Sequence, residues 1–141
     1  MANDTTTSQG LGNGVNYENI DTAKTLAVGD NGVVQNVIAD GITITLPATG
    51  AAGLYHFTIR NGGVPASSSV GFGTGADGSV LVKVSPNASD KISGLAFSAQ
   101  DNKAAQNTKA TSKVGDFITL VSDGVDGWTV VSARGIWARE S

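Results

Sequence analysis

The sequence predicts an all-β protein: an antiparallel β-sandwich or jelly-roll-like domain over 23–141, preceded by an extended N-terminal arm over 1–22. Three observations predict it. Short runs such as Ile42-Thr43-Ile44-Thr45-Leu46 and Val80-Leu81-Val82-Lys83-Val84 alternate with a period of two, which puts one face of a strand in a core. Turn-forming steps such as Asn31-Gly32, Asp40-Gly41 and Asp126-Gly127 punctuate the chain at intervals of about 8 to 12 residues. No segment carries the apolar stripe of an amphipathic helix.

Taken in order, 1–22 contains few large apolar residues and no period of either kind, so it reads as an arm that is disordered or orders on a partner. Tyr17 and Ile20 are its only plausible anchors. Strands are then expected over Lys24 to Val28, Val33 to Ile38 and Ile42 to Leu46, where Pro47 ends the ladder by removing a donor. Leu54 to Arg60 supplies a fourth. The Gly- and Ser-rich connection 61–78 is long for a structureless loop and has Val64, Val70 and Phe72 as its apolar members. Ser79 to Ser85 is a fifth strand. Between Ser98 and Lys113 no apolar residue exceeds alanine, and the threonines and asparagines favour an extended or irregular crossing over a weak exposed helix. Phe117 to Val121 and Trp128 to Ala133 form a hairpin about the turn Asp123 to Gly127, for a total of about seven or eight strands. Beyond Gly135, the sequence offers Ile136 and Trp137 no strand partner of their own.

Composition narrows the function. A chain of 141 residues is one domain's worth, large enough for one hydrophobic core. With no cysteine, thiolate chemistry and disulfides are excluded. A net charge of −3 and scattered basic residues argue against nucleic acid as a partner. Neither a signal peptide nor an apolar run of roughly 20 residues is present, so no membrane partner is expected. Charged residues make up only 15% of the chain against roughly 25% in average domains, which fits a surface partly covered by other subunits.

Candidate chemistry is sparse. Gly73-Thr74-Gly75-Ala76-Asp77-Gly78 matches G-x-G-x-x-G, but a strand follows it, where a dinucleotide site needs a helix N-terminus. His56, the one histidine, sits mid-strand without a serine in a sharp strand-to-helix turn, and reads as a sheet or subunit-interface residue. Asp40, Asp77, Asp123 and Asp126 each precede glycine, the place of turn formers, and the twelve-residue calcium-loop pattern is absent around Asp123 and Asp126. The sequons Asn3-Asp4-Thr5 and Asn87-Ala88-Ser89 carry little weight without a secretory signal. Trp128 reads as core. Trp137 either packs back on the domain or inserts at an interface.

Several segments together resemble a family of capsid decoration proteins of tailed bacteriophages: Thr43-Ile44-Thr45-Leu46-Pro47, Gly53-Leu54-Tyr55 to Ile59, Ser85-Pro86 with Asp90-Lys91-Ile92-Ser93-Gly94, Val114 to Val121, Asp126-Gly127-Trp128, and Arg134-Gly135-Ile136-Trp137-Ala138-Arg139-Glu140. The resemblance spans roughly residues 25 to 140, and the terminal G-I-W-A-R-E is its most specific part. It implies a non-enzymatic virion protein without cofactor or metal, made in the bacterial cytoplasm. Such a protein binds the outside of the head as a homotrimer and ties copies of the major capsid protein together. On this reading Leu11, Val15, Tyr17 and Ile20 are capsid-binding arm residues, and Ile136, Trp137 and Arg139 lie at the subunit interface. The alternative is a receptor- or carbohydrate-binding module of a tail fibre or appendage, with which the leucine-proline and late G-x-W elements are shared.

Overall fold

A computed structural model describes residues 3–4, 16–49, 55–65, 75–96 and 98–140. Fourteen strands lie among them: β1 Asn3–Asp4, β2 Tyr17–Ile20, β3 Lys24–Thr25, β4 Val34–Val37, β5 Ile42–Thr45, β6 His56–Asn61, β7 Val64–Pro65, β8 Gly75–Ala76, β9 Val82–Ser85, β10 Lys91–Ser93, β11 Ala105–Asn107, β12 Phe117–Ser122, β13 Gly127–Arg134 and β14 Ala138–Arg139. The only helical element among the described residues is a 3-10 turn, Val28–Asp30. The protein is all-β.

The strands form a seven-stranded sheet in the order β1-β2-β4-β6-β12-β13-β10, a five-stranded sheet in the order β14-β11-β9-β5-β3, and the small β7-β8 ribbon. From β2 to β6 each strand lies in the sheet opposite its predecessor. The chain therefore winds across to the second sheet and re-enters the first in its former direction. As a result β2, β4 and β6 are mutually parallel neighbours, and so are β3, β5 and β9. This corrects the expectation of an antiparallel domain: β10 also runs parallel to β13, so five of the eleven pairings among the described residues are parallel. The period of two reports which face is buried, but the connections set strand direction. The later part is antiparallel, with the β12-β13 hairpin beside β6, β11 beside β9, and β14 beside β11.

One hydrophobic cluster draws on both large sheets. Phe57, Ile59, Ile118, Leu120 and Trp128 come from the first, and Ile44, Val82, Val84 and Ala105 from the second. Tyr55, Phe57 and Trp128 gather with ring centroids 5.5 to 6.4 Å apart, within the range of favourable aromatic pairing. Burial follows the alternation of the sequence closely in β5, β9 and β12.

Three expectations change. The described residues of the predicted arm include two strands of the first sheet: β1 pairs with β2, β2 adds to β4, and Ile20 is fully buried. Burying an isoleucine side chain is worth about 1.5–3 kcal/mol, which holds Tyr17–Ile20 on the domain. Leu11 and Val15 lie outside the described residues. The strand expected over Lys24 to Val28 stops at Thr25, because the Asp30 carboxylate accepts from the Ala27 N–H at 2.9 Å and closes the 3-10 turn. In the connection 61–78, Val64 and Pro65 pair with Ala76 and Gly75, while Val70 and Phe72 lie outside the described residues. A Cβ on Gly75 would lie 2.2 Å from the Gly62 carbonyl oxygen. This glycine of the G-x-G-x-x-G match therefore serves close backbone approach in a ribbon.

Candidate interaction surface

The C-terminal segment is fastened by a buried polar network. Asn61, Asn107 and Asp116 lie between the two sheets, each 3% exposed or less. The Asn61 side chain donates to Asn107 Oδ1 at 2.8 Å and to the Val80 carbonyl at 3.0 Å, and accepts from the Gly63 N–H. Asn107 Nδ2 donates to Asp116 Oδ2 and to the Ile136 carbonyl, both at 3.1 Å. The Lys113 N–H completes the set on Asp116 Oδ2 at 3.0 Å. Unpaired, such groups would each cost about 1–3 kcal/mol; paired, they fix where the chain turns after β13. Gly135, at φ +96°, makes that turn, and a Cβ there would lie 2.3 Å from Asp116 Cγ. No side chain fits.

Past the turn the tail is held residue by residue. Trp137 is buried in the core cluster and its Nε1 donates to the Arg134 carbonyl at 3.0 Å. β14 pairs with β11, so the tail has the strand partner that the sequence did not reveal. Arg139 donates to the Ser98 carbonyl at 2.8 Å. Glu140 accepts from the Ala104 N–H at 2.9 Å and faces Lys83 Nζ at 3.3 Å. That backbone bond first, and Lys83 second among the attractions, hold its carboxyl below the usual range.

Of the three residues expected at a subunit interface, Ile136 is 61% exposed, Trp137 belongs to the core, and Arg139 is tied to Ser98. Packing back on the domain thus describes Trp137. The arm residues Tyr17 and Ile20 are not brought to this place: β14 edges the second sheet on one side, and β3, which follows β2, edges it on the other.

The surface continues along β13. The strand pairs with β10 only over Gly127–Thr129, and at Gly94 the chain turns away with φ +94°. A register shift opposite Thr119 and Leu120 leaves Val131 as the extra residue of a bulge, 60% exposed. The half from Val131 to Arg134 is exposed along its length. Phe117 lies between Arg60 and Arg134 in register, forming a row across β6, β12 and β13.

The other candidates resolve as structure. Asp123 Oδ1 accepts the N–H groups of Val125, Asp126 and Gly127 at 2.8, 3.0 and 3.1 Å, which holds its carboxyl below the usual range, with the Val125 bond the largest cause. Asp126 pairs with Lys91 at 3.0 Å. These are turn roles. His56 is exposed, and its backbone N–H donates to Asn31 Oδ1.

Asn61, Asn107 and Asp116 were missed as a group, although a signal existed. In Phe57–Ile59–Asn61 and Asp116–Ile118–Leu120 the alternation itself puts a polar residue on the inner face.

No protein-family model, curated protein or solved structure matches the chain.

Proposed function

We propose that this chain is a structural virion protein of a tailed bacteriophage, without enzymatic activity, which binds the outside of the capsid as a homotrimer and ties capsomers together. Its two core-sharing sheets are read as the layers of a β-sandwich protomer. One observation carries the proposal. The segment with the most specific family resemblance, Arg134 to Glu140, is clamped by Asn107, Trp137, Arg139 and Glu140, yet presents Ile136 and the free half of β13 to solvent. A rigid, exposed apolar contact keeps the ordering cost of association low. Repetition over three subunits multiplies weak contacts through effective concentration.

The test is sedimentation of purified protein with expanded empty phage heads. Co-sedimentation at micromolar concentration is expected; protein left in the supernatant sinks the proposal. The tail-fibre reading has one observation in its favour: the β7-β8 ribbon pairs the two described ends of the Gly-rich connection 61–78. Labelling of host cells by the isolated protein, without head binding, would establish that reading instead.

A further inference from the structure

We propose that the Asn31-Gly32 turn is a self-modification site, at which the Gly32 backbone nitrogen attacks the Asn31 side chain, expels ammonia and leaves aspartate or isoaspartate at position 31. The inference goes beyond the capsid reading and does not depend on it, because the chemistry needs only this chain and water.

Three Asn-Gly steps occur in the chain, at Asn13, Asn31 and Asn61, and the first lies outside the described residues. Glycine puts no side chain in the path of its own nitrogen, so ring closure onto a preceding asparagine is least hindered at such steps. The fold treats the other two oppositely. Asn31 and Gly32 are exposed at the centre of a type II turn, with Asn31 at φ −55° and ψ 127° and Gly32 at φ +76°, closed by the Val33 N–H on the Asp30 carbonyl at 3.0 Å. The attack requires the peptide between them to rotate until its nitrogen faces Asn31 Cγ. The Gly32 N–H makes a long, weak bond to the His56 carbonyl at 3.5 Å, and glycine accepts either sign of φ, so little opposes that rotation. Asn61 and Gly62 are buried instead. The Gly62 N–H donates to the Val37 carbonyl at 2.7 Å, and the Asn61 side chain is held by Asn107, Val80 and Gly63.

The Asn31 side chain is prepared for the attack at its oxygen. Asn31 Oδ1 accepts from the His56 backbone N–H at 2.9 Å, which draws charge from Cγ and favours the oxyanion that forms when nitrogen adds there. In the step itself the Gly32 nitrogen gives its proton to solvent and bonds to Asn31 Cγ. The Cγ–Nδ2 bond then breaks, and Nδ2 takes up a proton and departs as ammonia. Water opens the resulting succinimide ring at either of its carbonyls. Opening at Cγ restores the main chain and leaves aspartate, whose carboxylate still offers the His56 N–H an acceptor. Opening at the main-chain carbonyl leaves isoaspartate, whose main chain runs through Cβ and Cγ and no longer holds that acceptor in place. The turn Val28–Asp30 is thereby loosened from the first residue of β6, a one-way change that accumulates with the age of the protein.

The experiment is incubation of the full chain at neutral pH and physiological temperature, folded and in parallel unfolded in guanidinium chloride. Peptide mapping by mass spectrometry follows each asparagine over time, with fragmentation that separates aspartate from isoaspartate. In the folded chain, conversion at Asn31 is expected to be at least about tenfold faster than at Asn61, which reacts only when its buried network opens. In the unfolded chain the two rates should be comparable. Hydrogen exchange at the His56 N–H should rise in folded protein carrying isoaspartate, while an Asn31→Asp variant, which keeps the acceptor, should match fresh wild type. Conversion at Asn31 no faster than at Asn61 in the folded chain overturns the site. Unchanged exchange at His56 in the isoaspartate form overturns the loosening of β6.

Discussion

Lys24 on β3, at one edge of the second sheet, and Asn107 on β11, next to its other edge, are both polar side chains with little exposure, and they fasten the chain in different ways. Lys24 Nζ reaches Glu18 Oε1 at 3.0 Å, Asp30 Oδ1 at 2.8 Å and Gln35 Oε1 at 3.0 Å. All its partners lie within 11 residues, so the cluster ties the first winding of the chain, β2 to β4, to itself. Asn107 instead joins Asn61 and Ile136, 46 and 29 residues away, together with the nearer Asp116. The first cluster is charged, with side chains of Lys24, Glu18 and Asp30 only 13–15% exposed. The second pairs amides and backbone carbonyls around a single carboxylate. A local charged cluster secures a strand; a long-range amide network secures the tail and with it the exposed surface.

The largest expected effect comes from breaking the long-range network. Asn107→Ala should cost about 3 kcal/mol, because it strands Asn61, Asp116 and the Ile136 carbonyl in a buried site. Urea unfolding measures the loss. Hydrogen exchange should also show 135–140 opening more than β2, and equal opening of both would remove the distinction between the clusters. Lys24→Met is expected to cost about 2 kcal/mol, since it leaves two carboxylates and Gln35 without their shared donor, with part of the penalty relieved by solvent. Here the order reverses: exchange should rise at β2 and leave the tail protected.

The smallest effect concerns Glu140, where Glu140→Gln should cost about 0.5–1 kcal/mol at neutral pH. Its folded carboxyl lies below the ordinary 4.5, so the stability it adds is present above that pH and is lost as pH falls through the lower folded value. The wild-type and Glu140→Gln unfolding curves should therefore converge in acid. A gap that stays constant from neutral pH to pH 3 would contradict the assignment.

The contrast also explains what the sequence disclosed. Alternation in Ile42–Thr45, Val82–Ser85 and Phe117–Ser122 showed the strands and their buried faces, because apolar burial is written one residue at a time. The parallel winding was hidden, since direction depends on where β3 and β5 send the chain next. Asn61 read as a turn former before Gly62-Gly63, and only its partners 46 and 55 residues away make it a core residue. Tyr17–Ile20 read as an arm because four residues are too few to show a period, and β4 supplies their order. At the surface, Ile136, expected at a subunit interface, is exposed, while the burial of Trp137 depends on the turn at Gly135, where the packing of Asp116 leaves no room for a side chain.

Ile136 offers the most direct test of the central claim, that the clamped tail presents an assembly contact. Its side chain is exposed while its carbonyl does the structural work, so Ile136→Asp should keep the unfolding midpoint of the wild type. Co-sedimentation of this variant with expanded phage heads is the measurement. The account predicts that the folded variant stays in the supernatant at concentrations where the wild type is carried down. Undiminished binding by Ile136→Asp would contradict it.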